Sequence, residues 1–404
     1  MTRQQTILFL SSTHKGDVML RTAKELGCKT ILITDETQRH EAWDFNAIDV
    51  FHVTPDFRRY QDIINTVTWM ARGDNIALIL PLDEFEVELA AILREHLRLP
   101  GMGVSEMRHW RDKLTMRELT QKAGIPVPRF SGIVNYDHLR EYMSTVPTPW
   151  MLKPRMEAGA MGIQKMHDSE KLWRTLDELG DRQSYYLLEE YLPGNVYHVD
   201  SVVHNKKVVF ASAQQYGAPP FDTYHGGGVF DTRMMKRDTP YADALLEMNQ
   251  RVISALGLVN GVTHAEFIQA NRDGQFYFLE IAARVGGAYI SDMLEHATGI
   301  NPWREWMRLE YSQLTGEKYK LPKVRQDYGA VVLTLARDAQ PNTSAYQDAE
   351  IAYRIDKPFH AGFILTSAEH ERLNSLVESY KTRMVQDFTA VAAPMGVQRT
   401  GMTQ

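Results

Sequence analysis

Thr263-His264-Ala265-Glu266-Phe267-Ile268-Gln269, then Asn271-Arg272-Asp273-Gly274, then Phe276-Tyr277-Phe278-Leu279-Glu280-Ile281, is the stretch on which the fold depends. Two β-rich runs around a polar, glycine-ended turn predict an antiparallel hairpin. A three-residue loop over 272–274, with Gly274 left-handed, is a common way to close one. That register sets Asn271 opposite Gln275 and Glu266 opposite Glu280. If the strand continues, Arg284 shares a face with Glu280, because side chains alternate. Two carboxylates directly opposite each other are destabilising unless a cation lies between them. A hard divalent ion such as Mg2+ removes the conflict. Two glutamates splayed into solvent, or a register slipped by one residue, would account for the same letters.

The chain of 404 residues is long enough for two or three domains with sizeable cores. With 44% hydrophobic and 24% charged residues it reads as globular. A net charge of −6 argues against coating nucleic acid. The single cysteine, Cys28, excludes an intrachain disulfide and suits a reducing compartment. The first apolar run, Ile7-Leu8-Phe9-Leu10, is a strand too short for a signal-peptide core. No stretch approaches a membrane span. The expectation is a cytoplasmic protein without a membrane partner.

Outward from the hairpin, residues 6–105 alternate strand and helix: strands at 6–10, 30–34 and 76–80, helices at 15–26 and 84–97. This predicts a parallel sheet covered on both faces. The first loop, Ser11-Ser12-Thr13-His14-Lys15-Gly16, lacks the glycine fingerprint of a dinucleotide site. Glu84, at the carboxyl end of a strand, is a candidate substrate contact; a glutamate favouring a helix N-terminus is the simpler account. Residues 106–135 connect, with a helix from Arg111 to Gly124 and extended chain at Ile125-Pro126-Val127-Pro128.

Lys153 then precedes a loop of small residues, Ala158-Gly159-Ala160-Met161-Gly162, which can wrap a phosphate or simply turn a hairpin. Glu189-Glu190-Tyr191-Leu192-Pro193 leaves a strand whose exposed backbone can pair with a purine edge. Residues 214–231 read as a long polar loop, with Tyr216, Tyr224 and His225 as candidate pocket groups. Gly286-Gly287 opens a helix whose free N–H groups suit an anion. Residues 321–404 read as a small separate α/β unit.

The order of these pieces resembles the ATP-grasp superfamily, in particular carboxylate–amine ligases of the amino-acid (dipeptide) ligase and biotin-carboxylase-like group. The resemblance covers roughly residues 1–310. It implies an α/β ATP-grasp fold: an N-terminal Rossmann-like domain (1–105), a two-lobed ATP-binding domain (106–320) with a lid over about 136–195, and a C-terminal α/β domain (321–404). Lys113, Lys153, Gly159 and Gly162 would contact ATP phosphates. Glu189 and the backbone around Glu190, Tyr191 and Leu192 would hold adenine, with His198 as a further nucleotide contact. Glu266 and Glu280 would hold Mg2+, with Mn2+ as a substitute. Arg284 and Lys153 would be catalytic, and Glu84, His225, Gly286 and Gly287 would face the substrate. Ala282 departs from the pattern, which commonly has Asn there. The phosphate loop also departs, with Ala160 or Met161 where a hydroxyl residue is common.

The implied reaction joins a small-molecule carboxylate and an amine through an acyl phosphate, releasing ADP and phosphate. The alternatives are a bicarbonate-activating carboxylase and a catalytically silent nucleotide-binding protein. A homodimer is the assembly the resemblance implies.

Overall fold

The structure is a computed structural model that describes residues 4–219 and 228–390. His225 and Tyr224 lie outside the described residues. Three sheets organise the rest. The first is parallel, in the order β3-β2-β1-β4, from β1 (Thr6–Ser11), β2 (Lys29–Asp35), β3 (Val50–Thr54) and β4 (Ile76–Pro81). β1 and β4 are buried along their whole length, as continuous apolar runs require. Helices Asp17–Glu25, Tyr60–Met70 and Val87–Leu97 cover the sheet. The edge strand β3 and helix Tyr60–Met70 were not singled out from sequence, because Val50-Phe51-His52-Val53-Thr54 is half-buried and mixed in polarity. β1 lies between β2 and β4, so the chain reverses its winding between β1 and β4. Ligands favour that crevice at the strands' carboxyl ends.

The connecting helix is Lys113–Lys122, not a helix from Arg111: Asp112 caps it by accepting from the Leu114 N–H at 3.0 Å. The second sheet is antiparallel, in the order β5-β8-β6-β7, from β5 (Phe130–Gly132), β6 (Trp150–Pro154), β7 (Gln164–Met166) and β8 (Tyr186–Glu190). With helices Tyr136–Thr145 and Ser169–Leu179 it buries its own core of Leu139, Trp150, Leu152, Leu172, Leu176 and Leu188. A unit with its own core can move as a body.

The third sheet has eight strands, in the order β13-β12-β9-β10-β11-β14-β16-β15. They are β9 (Gly194–His204), β10 (Lys207–Tyr216), β11 (Val229–Met234), β12 (Gly261–Ala270), β13 (Phe276–Ala282), β14 (Tyr328–Leu335), β15 (Ile351–Arg354) and β16 (His360–Ser367). Two expectations change here. The polar loop is shorter than 214–231, because β10 runs to Tyr216 and β11 starts at Val229. The C-terminal residues are not a separate sheet: β14 pairs with β11, so Val331 and Val332 bond across to Thr232 and Asp231. Helix His370–Asp387 packs on this end through Leu373, Leu376, Val377 and Tyr380. Among the described residues no helix is long and apolar enough to cross a membrane.

The hairpin closes differently from its prediction. The turn holds four residues, 271–274: the Ala270 N–H donates to the Gln275 carbonyl at 2.9 Å, and the Gly274 N–H to the Ala270 carbonyl at 2.8 Å. Gly274 is left-handed, φ +69°, as expected. The longer turn alone would offset the glutamates. β13 restores them with a bulge, in which Phe267 pairs with Phe278 and Glu266 with Glu280, leaving Leu279 as the extra residue. The bulge also lets Phe278 face the core beside Phe267 while Glu280 faces the other way, beside Glu266.

Candidate active site

Glu266 and Glu280 lie opposite each other where the hairpin meets the loop after β6, through Lys113, and the turn after β4, through Arg284 and Glu84; this junction is the cleft of the candidate site. Lys113, in the first turn of its helix, reaches Glu280 Oε2 at 2.7 Å and donates to the Glu157 carbonyl at 2.5 Å. Its own N–H donates to the Arg155 carbonyl at 2.9 Å. Arg155 in turn donates through Nε to Asp112 Oδ1 at 2.9 Å. These contacts fasten the start of the small-residue loop against the helix N-terminus. Gly159 and Gly162 are both left-handed, φ +61° and +69°. At Gly162 a Cβ would come within 2.8 Å of Pro154 Cγ, so the turn also needs glycine for space.

Lys153 pairs with Glu189, whose other oxygen takes Arg117. Burial pushes the Glu189 carboxyl up, but the two cations hold it below its usual range. Neither oxygen of Glu189 is left over for the adenine contact that the resemblance implies: Oε2 braces Lys153 and Oε1 pairs with Arg117. Glu190 is likewise committed, to Arg129 at 2.8 Å and Arg272 at 2.5 Å. Tyr191 lies under Lys165, whose Nζ is 3.6 Å from the ring centroid, and Leu192 is buried beside Val196, Tyr216 and Ile268. What this hinge can offer a base is its backbone.

Glu84 bridges Arg111 Nη1 at 2.8 Å and Arg284 Nη2 at 2.7 Å. Burial raises its pKa, but Arg284 and Arg111 outweigh that and lower it to about 2. It sits in a 3-10 turn, Glu84–Glu86, ahead of helix Val87–Leu97, not within that helix. Arg284 lies past the end of β13 at Ala282, so strand alternation does not set its direction. Gly286 and Gly287 precede the helix, which begins at Ile290 after left-handed Ala288 and Tyr289. The expected N-terminal anion cup is therefore not formed by those two glycines.

His198 is corrected as well. It is fully buried, with Nδ1 2.8 Å from Asp200 Oδ2 and Nε2 2.6 Å from Thr232 Oγ1, so neither nitrogen reaches the cleft. Asp200 Oδ1 also holds His264 Nδ1 at 2.9 Å. Burial opposes charge on Asp200, yet the two imidazoles keep it well below the usual carboxylate range. Burial lowers the His264 pKa, and Asp200 overrides it, raising it to about 9. The Tyr216 hydroxyl donates to Glu266 Oε1 at 3.0 Å and lies 3.3 Å from His264 Nε2. Burial raises the Glu266 carboxyl and its contacts with His264 and Tyr216 bring it down. Sequence reading missed Arg111, Arg117, Asp200 and His264. The signal for His264 was its place two residues before Glu266, hence on the same face.

Two carboxylates from neighbouring strands, with Lys113 on one of them, are a donor set that fits a hard divalent ion carrying phosphates. Residues 110–288 match the family model described as the ATP-grasp domain. This chain carries an ATP-grasp domain. The fold of nearly the whole chain is similar to that of an L-amino acid ligase from Bacillus licheniformis, which superposes with a TM-score of 0.75 at 16% identity, covering 97% of this chain and 100% of that one. In sequence, the chain is 24% identical over 237 residues to an L-arginine-specific L-amino acid ligase of Bacillus subtilis, 57% of each chain. It is 21% identical over 268 residues to the carbamoyl phosphate synthase large chain of Clostridium beijerinckii, 66% of this chain and 24% of that one. The matches thus span about half of the first relative and a quarter of the second.

Proposed function

We propose that this ATP-grasp protein is a carboxylate–amine ligase that forms an amide or peptide bond on amino-acid-like substrates and releases ADP and phosphate. The observation that carries the reading is the convergence of Lys113 on Glu280 directly across from Glu266, with Lys153 braced by Glu189 on the facing unit. A carboxylate oxygen attacks the γ-phosphorus of ATP, and ADP leaves. An amine nitrogen then attacks the acyl carbon, loses a proton, and phosphate leaves. Phosphoryl transfer asks mainly for positioning and charge neutralisation. Lys113 and Lys153 neutralise the phosphates, and Arg284 the transferred group. Glu266 and Glu280 would hold Mg2+, which when bound neutralises charge on the phosphate oxygens. The unit over about 136–195 closes over the cleft and excludes water from the acyl phosphate. The hinge backbone at 190–192 receives adenine. A domain limit near 105, a cytoplasmic setting and a homodimer belong to the same reading.

The test is a screen of paired amino acids, and of bicarbonate alone, for ADP and phosphate, with mass spectrometry of products. Pair-dependent ADP supports the ligase. Bicarbonate-dependent ADP without an amino acid supports a carboxylase instead, and AMP an adenylating enzyme.

A further inference from the structure

His264 and Glu266 on β12 lie opposite Ala282 and Glu280 on β13, so four positions form one rectangle on the cleft side of the sheet. Two corners carry the acids. The Ala282 corner carries no donor atom. The fourth, His264, turns Nε2 toward Glu266 Oε1 at 3.6 Å, too long for a hydrogen bond but suited to two ligands on one ion, with the Tyr216 hydroxyl 3.3 Å from the same nitrogen as the contact the ion would replace. Its Nδ1 is fixed by Asp200, whose second oxygen is fixed by His198. Imidazoles that bind metals are held in this way, with the far nitrogen on a carboxylate. Gly286 belongs to the same device: a Cβ there would lie 2.6 Å from Asp200 Oδ1 and 3.0 Å from His264 Nδ1.

Resting on the ligase reading, we propose that His264 Nε2 is the third protein ligand of the ion held by Glu266 and Glu280, and that it tilts the site from Mg2+ toward Mn2+. Imidazole suits transition-metal ions, whereas Mg2+ prefers oxygen. Any proton on Nε2 is released to solvent when the ion binds. Asp200 and His198 are positioning residues for that nitrogen.

The experiment uses the full chain with Mn2+ and ADP, read by electron spin-echo spectroscopy with natural and 15N-histidine protein. The expected result is histidine-nitrogen coupling to Mn2+ that changes isotope with the label and disappears in His264→Gln. In Ala282→Asn, which supplies an amide oxygen, the Mn2+ over Mg2+ preference in competition should fall roughly tenfold, the scale on which supporting groups tune metal sites. Mn2+ bound with ADP but without nitrogen coupling in the wild type overturns the His264 assignment and leaves the ligase reading standing. Failure of the wild type to bind Mn2+ with ADP at all overturns both.

Discussion

Glu84 and Arg284, 200 positions apart in the chain, meet at 2.7 Å and join the N-terminal sheet to the end of the hairpin. Arg111 takes the other oxygen of Glu84 at 2.8 Å. The cations of the cleft are thus already neutralised by the protein: Arg284 by Glu84, Lys113 by Glu280, Lys153 by Glu189. A phosphate chain entering this cleft exchanges partners with carboxylates that are in place.

The Glu84 contact predicts a pH dependence. Its folded value of about 2 lies below the ordinary 4.5. The stabilisation is therefore complete above pH 4.5 and is lost as pH falls through 2. A shift of this size corresponds to roughly 3 kcal/mol at neutral pH. Urea unfolding of wild type and Glu84→Gln should differ by an amount that is constant near pH 7 and shrinks steadily below pH 4.5. A difference that grows in acid would contradict the ion-pair account.

Arg117 predicts a fold defect with a functional signature. Removing one partner of a buried ion pair costs about 3–5 kcal/mol. Arg117→Met should lower the urea midpoint accordingly. In protein that remains folded, Glu189 is left to Lys153 alone, so the KM for ATP should rise more than kcat falls.

Glu280→Ala and Arg284→Ala should each abolish substrate-stimulated ADP release while far-UV circular dichroism and cooperative unfolding persist. Near-normal turnover in both variants would reject the site. Chelation by EDTA should stop ADP release in the wild type, and Mg2+ or Mn2+ should restore it.

The parallel sheet was legible because β1, β2 and β4 are continuous apolar runs, and the hairpin because its turn and period are plain. The pairing of Glu266 with Glu280 was read correctly through a wrong turn. The sequence shows no difference between a three-residue loop and a four-residue turn followed by a bulge at Leu279, since both satisfy the same alternation locally. His198 was placed in the cleft by resemblance, whereas its two nitrogens are used inside the sheet. The fusion of the C-terminal strands to the main sheet depends on β11 meeting β14, a contact between segments about a hundred residues apart, which no local pattern encodes. Committed side chains such as Glu189 and Glu84 were visible only as charges until their arginine partners were placed.

The most direct test of the central claim follows the carboxylate oxygen. Substrate labelled with 18O in its carboxylate, turned over with ATP and the amine partner found in the screen, should deliver one 18O atom to the released inorganic phosphate in each turnover. Label appearing in AMP, or phosphate formed without any label, would contradict an acyl phosphate made at the Glu266–Glu280 site.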